Sequence, residues 1–443
     1  MKKSAFVFFF LFISNIATSQ PGFQFEPYNK RKVSIPFQLI NNLIFIPLNV
    51  NGVELTFLLD SGVDETILFS LDDKEDVSFL NVKKIMLRGL GTLESIEGLK
   101  SSDNTLSVPG FIDRQHDIYI VLDQSFNFSS SIGIPVNGII GYHFFKNHLV
   151  EIDYQKKKVV VFNDDAKLRK KIDKKYKSFD ISIEKNKPYT FSEITIEEKT
   201  IPAKLLIDSG SSDALWLFKN KSHDIPIPGK SFSDFLGRGF SGDVQGQRAR
   251  VNTINFESYT FSNIIAAFPD STATQGIVMV EDRIGSIGGE ILKRFDMIFD
   301  YKGGRIYLRK NRDFDLPFHY NMSGIEVHHS GMTWVKEAVE LNTTVAPDNT
   351  YDVNGNKIPN SFTYKFELKP LYSISSIRKD SPADVCGLKK GDIIVSINRK
   401  PGYRFTLQQI NALLKSEEGR VINIEIEREG INMKFQFQLK SIL

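Results

Sequence analysis

The chain has 443 residues, enough for about two to four domains. Its formal net charge is +3, from 56 Lys and Arg against 53 Asp and Glu, which offers no basic face to a nucleic acid. One cysteine, Cys386, excludes an internal disulfide, and seven scattered His leave no ligand spacing, so no metal and no cofactor is expected.

Residues 1–19 read as a signal peptide. Lys2 and Lys3 precede an apolar run from Phe6 to Ile13 that is too short to span a bilayer, and Ala17-Thr18-Ser19 offers small residues for cleavage before Gln20. An uncleaved anchor is the alternative. The expectation is an exported chain, periplasmic or extracellular, with no integral membrane segment after cleavage. No later stretch reaches the roughly 20 apolar residues of a membrane helix.

Residues 33–163 are expected to form a first β-lobe, with strand signals at Leu39 to Leu48 and Gly52 to Leu59. Heavy use of Phe, 36 residues, and scarce helical periodicity over the first 310 residues favour β-structure. Residues 164–177, rich in Lys and Asp, read as a linker with helical character, and residues 178–310 as a second lobe.

The two lobes repeat one another. Leu58-Leu59-Asp60-Ser61-Gly62 returns 148 residues later as Leu206-Ile207-Asp208-Ser209-Gly210. Gly89-Leu90-Gly91 and Gly237-Arg238-Gly239 each start 29 residues after the acid. Gly138-Ile139-Ile140-Gly141 and Gly285-Ser286-Ile287-Gly288-Gly289 each end 81 residues after it. A shared register across landmarks marks a domain-sized duplication.

The tetrad has a chemical reading. Glycine lets two backbones approach closely. A small hydroxyl can bond across a twofold axis and hold both loops, which leaves two acids on a cleft floor. Two carboxylates about 3 Å apart cannot both ionise cheaply and share one proton. The ionised member then takes a proton from water and the protonated member gives one to a carbonyl oxygen.

Asp60-Ser61-Gly62 with Gly138-Ile139-Ile140-Gly141, and Asp208-Ser209-Gly210 with Ile284-Gly285-Ser286-Ile287-Gly288-Gly289, resemble the aspartic proteases, as two retropepsin-like lobes in a single chain. The resemblance covers about residues 33–310. It implies two tandem acid-protease β-barrel lobes in a pseudo-twofold unit, and an aspartic endopeptidase with Asp60 and Asp208 as catalytic dyad. It also implies that Ser61, Gly62, Ser209 and Gly210 support the active-site loops. Gly89, Gly91, Gly237 and Gly239 fall where the family has flaps that close over substrate. Val63 departs from the family pattern, where a small or hydroxyl residue is usual. Asp64 and Asp213, extra acids beside the loops, read as solvated.

Residues 321–443 have another texture. Ser381-Pro382-Ala383, Gly387-Leu388-Lys389-Lys390-Gly391-Asp392-Ile393-Ile394 and Ser396-Ile397-Asn398 resemble a PDZ domain of the bacterial protease type. That implies an α+β module opening near Ser323 to Val327, with an insertion at about 340–362. It also implies capture of a peptide C-terminus by strand addition, with Leu371, Tyr372, Ser373 and Ile374 as candidates. A helix is expected over Phe405 to Leu414, and His328-His329 reads as an exposed pair in a strand or turn.

The expected partners are thus a protein or peptide substrate and a peptide C-terminus, with no nucleic acid, in a monomer. Two alternatives stand beside the peptidase: a catalytically silent peptide-binding scaffold on the same frame, and a self-processing precursor cut at 164–177 or 340–362.

Overall fold

The computed structural model describes residues 22–71, 77–87, 96–121, 128–219, 225–239, 242–274, 279–339 and 363–443. The expected signal peptide, Gly89, Gly91 and the expected 340–362 insertion lie outside the described residues. The expected fold class is observed: a mainly β chain with two repeated lobes and an α+β C-terminal domain.

In the first lobe a nine-stranded sheet carries the strand Val53–Leu59, which delivers Asp60. Its partner Leu43–Val50 runs antiparallel through the turn Asn51-Gly52, both residues at positive φ, as a tight hairpin requires. The expected single strand from Leu39 to Leu48 is instead two, Gln38–Ile40 and Leu43–Val50. Asn41 and Asn42, at φ 49° and 68°, reverse the chain between them.

The second lobe repeats this on eight strands. Lys199–Ile207 delivers Asp208, as Val53–Leu59 delivers Asp60. Behind each lies a short parallel strand, Gly138–Ile140 or Arg283–Ile287, that also pairs antiparallel with a third strand, Thr66–Leu68 or Leu215–Leu217. Each lobe has an antiparallel pair at the matching place: Lys83–Leu87 against Ile96–Val108, and Ser231–Gly239 against Gly242–Phe256, the second with glycines at its turn.

A six-stranded sheet joins the lobes, three strands from each. Its middle is an antiparallel pair, Leu149–Asp153 against Phe295–Asp300, in the register Val150↔Phe299 and Ile152↔Met297. These four side chains are fully buried, and each stabilises by about 1.5–3 kcal/mol. Phe145 and Tyr301 stack at 5.2 Å above it, and the Tyr301 hydroxyl reaches the Ser61 carbonyl at 3.4 Å. The axis that relates the lobes therefore passes through a packed core just beneath the two Asp loops. The connecting segment forms the helix Ala166–Asp173, with Asp165 accepting from the Leu168 N–H at its start.

In the C-terminal domain a long two-stranded ribbon, Ile325–Val339 with Thr363–Ile377, continues into Ile393–Ile397, Val421–Arg428 and Ile431–Gln438. The helix Leu407–Leu414 starts at a reciprocal capping box between Thr406 and Gln409. His328 sits in the ribbon half-buried, its Nε2 2.7 Å from the Ser373 hydroxyl, and His329 is half-buried beside Tyr372. The pair is thus in a strand, but it is not the exposed pair expected.

Both lobes hold this domain. The Gln408 amide donates to the Ile132 carbonyl at 2.9 Å, and the Ser130 hydroxyl donates to the His329 carbonyl. The Arg378 guanidinium lies 3.7 Å from Asp234 and 4.3 Å from the Phe232 ring of the second lobe.

Candidate functional site

The two Asp-Ser-Gly loops meet at the axis by a reciprocal exchange. The Ser61 hydroxyl donates to the Ile207 carbonyl at 2.7 Å and accepts the Ser209 N–H at 3.0 Å. The Ser209 hydroxyl donates to the Leu59 carbonyl at 2.9 Å and accepts the Ser61 N–H at 2.9 Å. Both serines are fully buried, so these bonds have no competition from water. Only a small hydroxyl can both donate and accept in this space.

The carboxyls follow from that frame. Gly62 N–H donates to Asp60 Oδ1 at 2.7 Å, and Gly210 N–H donates to Asp208 Oδ1 at 3.1 Å. The two carboxyls hydrogen-bond to each other. Their closeness explains the glycines. A Cβ on Gly210 would lie 2.1 Å from Asp60 Oδ2, and one on Gly62 would lie 2.9 Å from Asp208 Oδ1. The strands behind complete the loops: Asp60 N–H donates to the Ile140 carbonyl and Asp208 N–H to the Ile287 carbonyl, both at 2.9 Å. Gly141 and Gly288 are needed there because a Cβ would strike the Val63 and Asp213 carbonyls, at 2.0 and 2.3 Å.

Burial raises the pKa of Asp60, the charge of Asp208 raises it further, and the Gly62 N–H and Lys187 oppose both. Burial likewise raises Asp208, against the charge of Arg283. A pair raised in this way holds a proton into the neutral range, and the proton belongs to both members.

Asp64 and Asp213 are not the solvated acids expected. Asp64 accepts from the Asn186 amide at 2.9 Å, across the lobe boundary. The equivalent clasp on the other side is Asn42, whose amide donates to the Ser212 carbonyl at 2.8 Å. Asp213 accepts from the Trp216 indole at 2.7 Å and from Arg248 at 2.8 Å, and Arg248 also reaches Asp234 at 2.7 Å. Burial works against the Arg248 charge, but the two flanking carboxylates more than offset it. Arg248 thereby ties the glycine hairpin of the second lobe to the loop that carries Asp208.

Gly237 and Gly239 lie on that hairpin. Gly237 sits at a register shift with φ 144°, which few other residues adopt, and Gly239 pairs with Gly242. Val63 is half-buried among Ile40, Leu43 and their neighbours, so its side chain packs instead of hydrogen-bonding.

The strand-addition role expected of Leu371, Tyr372, Ser373 and Ile374 needs correction for the last two. All four pair with Val327 to Gly331 on one side, and Ser373 and Ile374 are also bonded to Gly391, Asp392 and Ile393 on the other. Neither of these two residues keeps a free edge for a peptide. The outer strands of this sheet are Ile325–Val339 and Ile431–Gln438, and the helix Phe128–Ile132 of the first lobe already packs against the former. Gly133 rests on Leu407 of the neighbouring helix.

One constellation escaped sequence reasoning. Thr66 Oγ1 is 2.7 Å from His116 Nε2, and His116 Nδ1 is 2.8 Å from Asp113. Although burial pushes Asp113 up, His116 holds its pKa low. All three are buried, so this relay braces the first lobe and meets no substrate. A Thr, an Asp and a His spread over 50 residues carry no spacing signal. Among the described residues no cluster of His, Cys, Asp and Glu could hold a metal ion, and no helix is long and apolar enough to cross a membrane.

Comparison with known proteins divides the chain. A family described as "PDZ domain" matches residues 373–428, and this stretch is a PDZ domain. Over 105 residues the chain is 33% identical to "Retrovirus-related Pol polyprotein from transposon 412" of Drosophila melanogaster. That match takes in 23% of this chain and only 7% of the relative's length. A solved structure, "Crystal structure of aspartic proteinase from Irpex lacteus", superposes with a TM-score of 0.41 at 13% identity, over 64% of this chain and 99% of that one.

Proposed function

We propose that the chain is an aspartic-type endopeptidase in which Asp60 and Asp208 act as one acid–base unit. The observation that carries this is the Ser61–Ser209 exchange, which supports two mutually hydrogen-bonded carboxyls at the lobe axis. A water held between them gives a proton to the ionised carboxylate as it attacks a peptide carbonyl. The protonated carboxyl donates to the carbonyl oxygen, and the resulting diol collapses as the amine takes up a proton. No covalent intermediate forms. The hairpin that carries Gly237 and Gly239 covers the substrate, and Arg248 couples its position to the Asp208 loop.

The PDZ domain regulates in this reading. Its outer strand Ile325–Val339 and its helix Leu407–Leu414 already hold the helix Phe128–Ile132 of the first lobe. A peptide C-terminus would displace that helix, which leads into the strand behind Asp60. The chain works as a monomer, since both halves of the dyad are its own, and the leader directs it to a periplasm or beyond the cell.

The test is cleavage of a diverse peptide library from about pH 3 to 8, comparing wild type with Asp60→Asn and Asp208→Asn. Cleavage by the wild type that both variants lose supports the proposal. Full cleavage by either variant, or none by the wild type, overturns it.

A further inference from the structure

Two cations act on the carboxyl pair, and among the described residues neither has an ion pair of its own. Arg283 begins the strand that backs the Asp208 loop. Its Nε donates to the Gly285 carbonyl at 3.1 Å, its guanidinium lies 5.3 Å from the Phe218 ring, and it hydrogen-bonds the Tyr189 hydroxyl. These contacts fix its position, yet none supplies negative charge. Lys187 follows the Lys185-Asn186 turn, whose Asn186 grips Asp64, so the hairpin brings the ammonium from the second lobe towards the first. Among the described residues neither Arg283 nor Lys187 forms an ion pair with a carboxylate.

Their charges do act on the pair: Arg283 on Asp208, and Lys187 on both Asp60 and Asp208. Burial pushes both cations' pKa values down, and nearby negative charge only partly opposes it. The dyad shares a proton and so offers about one negative charge to two cations. Asp64, already held by Asn186, is the other acid near Lys187. A buried cation without full compensation is costly, and an anion arriving at such a site gains charge-assisted hydrogen bonds there.

We propose that Arg283 and Lys187 form an anion subsite beside Asp60 and Asp208, which takes a carboxylate of the substrate next to the bond that is cut. The carboxylate belongs to an Asp or Glu side chain or to a chain terminus. Arg283 is the main contact, because its planar fork accepts a carboxylate through two N–H groups. Lys187 adds a point charge. The subsite deepens the peptidase reading and rests on it for turnover, but not for binding.

Randomised peptide libraries with Glu, Gln or Ala fixed at one position, each made with a free and an amidated C-terminus, test it in two ways. Turnover is read on the wild type, Arg283→Gln, Arg283→Lys and Lys187→Gln. Binding is read by equilibrium capture on immobilised Asp60→Asn protein, with and without Arg283→Gln, by mass spectrometry. Thermal melting confirms that each variant is folded. The expected result is a preference of at least about tenfold for Glu over Gln, or for the free over the amidated terminus, corresponding to about 1.4 kcal/mol. The preference should fall to near one in Arg283→Gln and partly return in Arg283→Lys. The first contrast signals a side chain as the source and the second a terminus. Equal handling of charged and neutral libraries, or a preference untouched by Arg283→Gln, overturns the subsite. A shift of the pH profile with no change in the ratio also overturns it, since the cations would then serve only the dyad. If no peptide is cleaved, the peptidase reading fails while the captured ratio still decides the subsite.

Discussion

Replacing Ser61 or Ser209 by Ala tests the frame that brings the lobes together. Ser61→Ala orphans the Ile207 carbonyl and the Ser209 N–H, and Ser209→Ala orphans the Leu59 carbonyl and the Ser61 N–H. All lie where water cannot replace the lost partner. Each unsatisfied buried group costs about 1–3 kcal/mol, so each substitution, which orphans two, should destabilise by about 2–6 kcal/mol. The twofold makes the two losses nearly equal. Urea unfolding followed by the fluorescence of Trp216, in a Trp334→Phe background, reads the lobe beside the loops; these are the chain's two tryptophans. Losses below about 0.5 kcal/mol for both variants would refute the exchange as a structural clamp. A large loss for one variant alone would refute its symmetry.

Other expectations follow from the same geometry. Gly210→Ala should cut kcat/KM more than Gly62→Ala, because its Cβ meets Asp60 at 2.1 Å against 2.9 Å from Asp208; the reverse order would contradict the packing. Asp60→Asn should stabilise the protein more as pH rises. With its pKa raised above the ordinary 3.8, folded Asp60 keeps a proton that the unfolded chain has released, so native stability falls from about pH 4 up through the raised pKa, and Asn escapes this. Urea unfolding at pH 4 and pH 7 should therefore show the larger gain at pH 7, and equal gains would count against the raised pKa. Arg248→Met leaves Asp213 without its cation and Asp234 with only Arg378 at 3.7 Å, and should cost about 3–5 kcal/mol by the same assay; a change under 1 kcal/mol would deny the tie.

The meeting of the two Asp loops was legible because its signal is local and repeated: an apolar strand, an acid, a hydroxyl and a glycine, twice, with glycine landmarks at matched distances. The backing strands were legible for the same reason. What was missed depends on pairing across the fold. Asn41 and Asn42 interrupt an apolar run that reads as one strand, since Asn tolerates positive φ without any Gly or Pro to announce a turn. Asp64 and Asp213 read as solvated because Asn186 and Arg248 lie 122 and 35 residues away. The segment Leu371 to Ile374 has the alternation of any half-buried strand, and alternation does not tell an edge from an interior position. Arg283 and Lys187 gave no signal at all: each is an ordinary basic residue until the sheet turns it towards the carboxyls.

The central claim is that Asp60 and Asp208 work as a single unit. It is tested most directly by kcat/KM for Asp60→Asn, Asp208→Asn and the double variant, on the best substrate from the library. The account expects each single substitution to remove at least about a thousandfold, and the double to be no worse than either, because residues that act as a unit are non-additive. Losses that multiply, or a single variant that keeps wild-type turnover, would contradict it.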